Sequence, residues 1–409
     1  MPADLATSYA AALDTILRGS HLMEPAGLPE LAASAAGHLG ATSAVLWLVD
    51  YEQTSLVPVL PAHAPSRELL TIDGSVAGRA FRAVETMDVE AEDGRRLWVP
   101  LLDGVERLGV MEVLVAGPPV DVERRSAFEQ LCHLVAELLV SNSAYTDHYE
   151  WFRRQAPMEL QAEMQHTLLP PLTFGTRQLV VSGLLAPAYE VGGDAFDYAL
   201  NGHILHVGVF DAVGHGLQAS LLANLAVSCY RNSRRAGLDL AHTAAAVDEA
   251  LEQMFGGERF VTALLGQLDV DTGLYRWVNA GHPAAMLLRG AQVVKELEGA
   301  PALPLGLNTL ADGAFVVTTE SLEPGDRLLL LTDGVDEART EDGEFFGRQR
   351  LAEFAAREAA SGLAMPEVMR RLQQAVLRHQ TGRLQDDATT LFVEWRTGRA
   401  QDMAPDGAS

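Results

Sequence analysis

The rhythm of apolar and polar positions changes three times along this chain. Over residues 4–18 and 28–39 apolar residues recur every three or four positions, the spacing of one helix face. Ser43–Val49 and Ser55–Leu60 then read as strands. Gly74 and Gly78 flank a short turn before a helical Arg79–Ala83. Arg96–Leu102 is the next strand, Asp103-Gly104 a hairpin signal, and Arg107–Val115 the return strand. Gly117-Pro118-Pro119 ends the pattern. Residues 1–120 are therefore expected to form an α/β domain with a mainly antiparallel sheet.

A helical period follows. Phe128, Leu131, Val135, Leu138, Asn142, Tyr145, Tyr149 and Phe152 are spaced by threes and fours, a heptad seam with Asn142 at an a position. Two readings stay open: a parallel dimeric coiled coil, or an amphipathic helix packed on its own domain. Pro157 interrupts the period, a second helical piece runs to Leu169, and Pro170-Pro171 stops it. Residues 121–170 are expected to be a helical linker that dimerises the protein.

From there the pattern is mostly strands. Leu179–Leu184 and Ile204–Phe210 are apolar on both faces, as buried strands are. Phe260–Val270 with Leu274–Asn279, and Ala284–Leu288 with Gln292–Leu297, read as hairpins; Arg327–Leu331 and Thr390–Trp395 are further strands. Helices fit Leu217–Arg231 and residues 240–254, 348–360 and 365–379. Sheets packed together and flanked by helices are expected over 171–397, with a disordered tail over 398–409.

Composition narrows the classes. The 409 residues suggest two or three domains, and 48% hydrophobic residues suffice for real cores. A net charge of −25 argues against nucleic acid and against an anionic membrane surface as partners. Cys132 and Cys229 lack a CxxC partner and read as buried, reduced thiols. The chain opens without a basic n-region and has no apolar run of the roughly 18 residues that span a bilayer. A cytoplasmic location is the expectation.

The chemistry lies in five short stretches: Val191-Gly192-Gly193-Asp194, Asp211 to Gly216, Asn279 to Pro283, Thr332-Asp333-Gly334, and Asp386 to Thr389. All but the first follow apolar runs, so a sheet can deliver their acids to one edge. Clustered aspartates suit hard cations such as Mg²⁺ and Mn²⁺, which take oxygen ligands. Asp211 ends a buried strand and is the natural bridging carboxylate. The glycines after it let backbone approach an ion, which makes the Ala212 carbonyl a further ligand candidate. Asp194 lies one antiparallel return earlier. Taken singly, each Asp-Gly is a turn signal; the ordered set points to metal-dependent phosphoester hydrolysis, which needs accelerations up to ~10²¹.

Together with Pro304-Leu305-Gly306 and Leu322–Asp333, these segments resemble the PPM-type metal-dependent serine/threonine protein phosphatases, in their bacterial sporulation and stress-response branch. The resemblance covers about 178–395. It implies an α-β-β-α sandwich with two Mn²⁺ or Mg²⁺ ions per subunit. Asp211 would bridge both ions, with Ala212 giving its carbonyl, Asp333 and Asp386 completing one shell, and Asp194 serving the other. Asp387, Gly193 and Gly334 would support these ligands, and His215 and His282 would either serve the reaction or brace the loops. Val213 stands where eukaryotic relatives place a general-acid histidine, so the proton donor is unassigned. Residues 20–145 resemble a GAF sensor domain, on element order and on Gly74 to Phe81. That implies a small-molecule ligand or dimer contacts.

The fold class expected is thus α+β: a GAF-like sensor, a helical linker and a PPM-type sandwich. The implied function is a sensor-regulated protein phosphatase in which a metal-bridging water attacks phosphoserine or phosphothreonine. Its implied substrate is a phosphorylated STAS-type anti-anti-sigma protein, and Gln165, Leu168 and Leu169 are candidate switch residues beside the metal site. The alternatives are an inactive phosphoprotein-binding scaffold and a hydrolase of another phosphoester such as a nucleotide.

Overall fold

The computed structural model describes residues 5–60, 65–92, 94–190, 192–290, 292–307, 314–336, 338, 340, 344–360, 363–380 and 386–395. The expected tail over 398–409 lies outside them. The chain divides at Ala156–Pro157 into two compact units.

The first unit contains α1 (Leu5–Gly19), α2 (Leu28–His38), β1 (Ala41–Val49), β2 (Ser55–Val59), β3 (Leu70–Thr71), α3 (Val76–Ala83), β4 (Met87–Ala91), β5 (Gly94–Asp103), β6 (Glu106–Val115), α4 (Val122–Ser143) and α5 (His148–Arg153). Its strands form one antiparallel sheet in the order β3-β2-β1-β6-β5-β4. Alternation along β1, β5 and β6 sends Leu46, Leu48, Leu97, Val99, Met111 and Val113 to the face under α1, α2 and α4. Trp47, Trp98 and Val110 go to the other face, against Phe81 of α3. Ser75 caps α3 by accepting the Gly78 N–H at 2.9 Å. Gly78 has no room for a side chain, because a Cβ there would overlap the Ile72 carbonyl.

The helical seam is used differently from a single long rod. Thr146 accepts the His148 N–H at 3.0 Å in a turn between α4 and α5, so the helix breaks before Pro157. Phe128, Leu131, Val135 and Tyr149 are buried in this unit's own core. They are four of the eight seam positions, and the unit's own sheet and helices cover them. What stays exposed near the break is Val140, Tyr145 and Trp151. Among the described residues no helix is long and apolar enough to cross a membrane. Both cysteines are free thiols, Cys132 buried and Cys229 half-buried.

The second unit begins with α6 (Leu160–Leu168) and continues through β7 (Thr173–Gly175), β8 (Leu179–Ala186), β9 (Asp194–Asn201), β10 (Ile204–Ala212), α7 (Leu217–Arg235), α8 (Leu240–Phe255), β11 (Val261–Asp269), β12 (Leu274–Ala280), β13 (Ala285–Arg289), β14 (Gln292–Leu297), β15 (Thr318–Ser321), β16 (Arg327–Leu331), α9 (Asp333–Asp336), α10 (Gly347–Ala360), α11 (Met365–His379) and β17 (Ala388–Trp395). Two sheets result, β15-β12-β11-β10-β9 and β14-β13-β16-β17-β8-β7. Their facing side chains make one core, including Val181, Phe196, Val207, Leu264, Leu330 and Leu391. Helices α7 and α8 pack on the outer face of the first sheet, and α11 on that of the second. The sandwich with helices on both sides is as expected. Strands β7, β9 and β15 have no counterpart in the sequence pattern; β9, Asp194-Ala-Phe-Asp-Tyr, carries two buried acids that break its apolar signal.

Gly183 of β8 meets Phe196 of β9 across the sandwich, where a Cβ would overlap the fully buried ring. Gly183→Ala should therefore destabilise by about 1–3 kcal/mol in a denaturant titration. Combining it with Phe196→Leu should cost less than the sum of the two single changes, because the smaller side chain makes room. Additive losses would show that the two residues do not share this space.

Candidate metal centre

Strand β9 opens at Asp194 and the antiparallel β10 closes just after Asp211, so the two aspartates sit directly opposite one another. One edge of the first sheet thus carries both. On the second sheet β16 and β17 are neighbours, in register Leu331 to Thr390. Asp333 begins α9 just after β16, and Asp386 and Asp387 lie just before β17. All the expected acids therefore come to one end of the sandwich. Asp194 and Asp386 precede or open strands rather than ending them.

Specific hydrogen bonds join the two edges. The Asp387 carboxylate accepts the Gly192 and Gly193 N–H groups at 2.8 and 2.6 Å. Thr332 donates its hydroxyl to Asp194 Oδ2 at 2.5 Å and accepts the Thr389 N–H at 2.9 Å. Two glycines permit the close approach. A Cβ on Gly334 would overlap the Asp387 carbonyl, and one on Gly193 would lie 2.9 Å from the Ala212 carbonyl oxygen. The Ala212 N–H in turn donates to the Gly193 carbonyl at 3.2 Å.

This packing is electrostatically costly. Asp194 is 2% exposed, and burial followed by repulsion from Asp211 and Asp387 holds its carboxyl well above the usual range. Burial, then Asp333, Asp386 and Asp387, push Asp211 up to about 7. Burial raises Asp387 as well, against the opposing effect of the N–H groups it accepts. The charges acting most strongly on Asp194 and Asp211 are all carboxylates.

The remaining expected residues divide by burial. His215 is exposed on the loop after Asp211. His282 is buried and bracketed: Asn279 accepts its N–H at 2.8 Å and donates to its carbonyl at 2.7 Å, and Nδ1 lies 2.8 Å from the Thr262 hydroxyl. Burial pulls the imidazole down to about 3, so it is neutral at pH 7. Thr262 is the cross-strand partner of Asp211, so His282 braces the metal edge from behind. Gln165 of α6 is fully buried and donates to the Gly192 carbonyl at 3.2 Å, the same oxygen that Ser220 of α7 reaches at 2.5 Å. The Leu168 carbonyl accepts from Arg231 at 2.6 Å, while Leu169 packs at the edge of the sandwich core.

Residues 201–396 match the family model described as Stage II sporulation protein E (SpoIIE). Over this stretch the C-terminal unit is similar to SpoIIE-type phosphatase domains. Phosphoserine phosphatase RsbU of Bacillus subtilis (strain 168) is 24% identical over 289 residues, which cover 69% of this chain and 83% of that protein. Phosphoserine phosphatase RsbP of the same organism is 26% identical over 184 residues, 44% of each chain. Among solved structures, the SiaA-PP2C domain of Pseudomonas aeruginosa superposes with a TM-score of 0.49 at 26% identity, over 57% of this chain and 94% of that domain.

Several residues that organise the C-terminal unit carry no distinctive sequence signal. Thr332, Ser220 and Thr262 are ordinary hydroxyl residues whose partners lie far along the chain. Asp197 is another: it is buried in β9 and bound by Arg231 and Arg234 of α7, each at 2.7 Å. That network fixes α7 against the strand that carries Asp194.

The donor set fits a divalent cation. Oxygen donors dominate, and among the described residues no Lys or Arg is ion-paired with Asp194 or Asp211. Among the described residues no three or more His, Cys, Asp or Glu side chains stand close enough together to hold a metal ion by themselves. Mg²⁺ and Mn²⁺ retain several waters and need few protein ligands.

The raised carboxyl of Asp211 gives a stability test with a definite sign. Its folded-state value of about 7 exceeds the ordinary 3.8, so its contribution is present at low pH and lost as pH rises through about 7. Metal-free Asp211→Asn should therefore melt above the wild type at about pH 8 and converge with it near pH 4. Mn²⁺ should raise the wild-type Tm and leave that of the variant nearly unchanged. An equal metal response in both proteins would remove Asp211 from the ligand set.

Proposed function

We propose that this chain is a metal-dependent protein serine/threonine phosphatase regulated by its N-terminal unit. The observation that supports this most is the direct pairing of Asp194 with Asp211 at an edge otherwise lined by Asp333 and Asp386. The match of residues 201–396 to the SpoIIE family and the phosphoserine phosphatase relatives support the same reaction.

In this reading Asp211, the Ala212 carbonyl, Asp194, Asp333 and Asp386 hold two Mn²⁺ or Mg²⁺ ions. Bound metal supplies Lewis acidity toward phosphoryl oxygens and lowers the pKa of coordinated water. The chain's own residues do the positioning. Thr332 orients Asp194, and Asp387 keeps the Gly192-Gly193 backbone against the acids. His282 is neutral and enclosed, so it braces the site and moves no proton at pH 7. The exposed His215 is the imidazole with access to a leaving group.

The substrate we assign is a phosphorylated STAS-type anti-anti-sigma protein, following the resemblance to the stress-response branch and the similarity to phosphoserine phosphatases. The N-terminal unit is read as a GAF-like sensor that takes a small molecule, and α6 as the lever. Gln165 holds the Gly192 carbonyl, one peptide from the N–H groups that Asp387 accepts, so a shift of α6 moves the metal edge directly. Dimerisation belongs to the same reading, through the exposed Val140, Tyr145 and Trp151.

Two measurements test this. Hydrolysis of p-nitrophenyl phosphate and of a phosphoserine STAS protein should require Mn²⁺ or Mg²⁺ and fall by two orders of magnitude or more, roughly, in Asp211→Asn. Metal binding without turnover on any phosphoprotein would favour the scaffold, and turnover of free nucleotides alone would favour a different phosphoesterase. By light scattering the wild type should have twice the 44.0 kDa chain mass, and Tyr145→Asp with Trp151→Asp should halve it. A monomeric wild type sinks the dimer.

A further inference from the structure

The acid cluster poses a problem for any phosphate ester, because a dianion must approach an edge lined with aspartates. Register places one cation beside that edge. Asp211 pairs with Thr262 and Ala212 with Val261, and the Val213 N–H donates to the Phe260 carbonyl at 3.1 Å. One residue further, Arg259 falls alongside Gly214. Its Nη1 lies 3.5 Å from where a Cβ on Gly214 would stand, so the guanidinium lies over the loop that carries Asp211.

The backbone there is well held. Val261 and Leu305 exchange hydrogen bonds of 3.0 and 2.9 Å, and Gly306 packs against the Arg259 carbonyl while its own N–H goes to Asp248 at 2.6 Å. Among the described residues the side chain makes one polar contact: Nη2 donates to Gln218 Oε1 at 2.9 Å. A guanidinium only donates, so the Gln218 oxygen faces it and the Gln218 NH₂ points away. Among the described residues no carboxylate pairs with Arg259, in a chain with 55 acids and 30 lysines and arginines. Arg231, Arg234, Arg289, Arg348, Arg370 and Arg371 of the same unit all have carboxylate partners. Arg259 is also only partly buried, hence open to a ligand.

We propose that Arg259, with Gln218, forms the subsite that receives the non-bridging phosphoryl oxygens of the phosphate monoester. Arginine matches phosphate geometry with paired N–H donors. Gln218 holds the guanidinium in place and adds its own NH₂ donors. This assignment rests on the phosphatase reading above.

The test uses the full chain with saturating Mn²⁺ and a phosphoserine peptide, with inorganic phosphate as a competing ligand. Arg259→Ala should raise KM and the phosphate inhibition constant about tenfold or more, with a smaller effect on kcat, and Arg259→Lys should recover part of both. Gln218→Ala should show the same split more weakly. Melting temperature and the Mn²⁺ midpoint should not move, since neither residue holds the metal. If the wild type is active and Arg259→Ala keeps both constants within about twofold, the subsite is overturned and the phosphatase stands. If the wild type has no turnover, phosphate binding to the Mn²⁺-loaded protein decides. Binding that Arg259→Ala abolishes supports the subsite, and binding unchanged by Arg259→Ala, or no binding, overturns it.

Discussion

The carboxylate of Asp387 is the contact on which the rest of the metal edge depends. It comes from the residue just before the last strand of one sheet and accepts N–H groups from Gly192 and Gly193, just before the first strand of the other. An ionised acceptor on two backbone donors is among the stronger hydrogen-bonded arrangements in proteins. It brings Asp194 and Asp211 within reach of Asp333 and Asp386, against their mutual repulsion. Gly192, Gly193 and Gly334 are small for this reason: a side chain on any of them would press on the backbone of the facing loop.

Around this latch the unit is built in successive supports. Thr332 and Thr389 tie β16 and β17 to Asp194. Thr262 and His282 back Asp211 from the neighbouring strand. Ser220 and Gln165 converge on the Gly192 carbonyl from two helices, and Arg231 ties the end of α6 to Asp197 of β9. A movement of α6 therefore bears on the same peptide that the latch grips. The charges acting most strongly on Asp194 and Asp211 are carboxylates, and Arg259 lies beside the loop that carries Asp211.

Much of this was legible in the chain. Strands Gln292–Leu297 and Arg327–Leu331 and the helix over 365–379 stand where their periodicity places them, because each has one clean apolar face or run and flanking turn residues. That the aspartates gather at one end of the sandwich was legible, because most of them stand beside apolar runs that become neighbouring strands. Strand β9 was not, since Asp194 and Asp197 interrupt its apolar pattern for reasons of site chemistry and ion pairing. The heptad seam was legible as a buried stripe, but its period does not say what buries it. In the folded unit Phe128, Leu131 and Val135 face their own sheet.

By itself, then, the sequence determined most of the element types, the sandwich class and which acids gather at its end. These follow from local periodicity, turn chemistry and residue type. Only the tertiary structure decided that Asp387, and not the adjacent and chemically identical Asp386, latches the Gly192-Gly193 backbone. It likewise decided that His282 is enclosed and neutral while His215 is open, and that Arg259 lies over Gly214. Those outcomes depend on strand register and on burial. Both come from contacts between residues far apart in the chain, which no local pattern records.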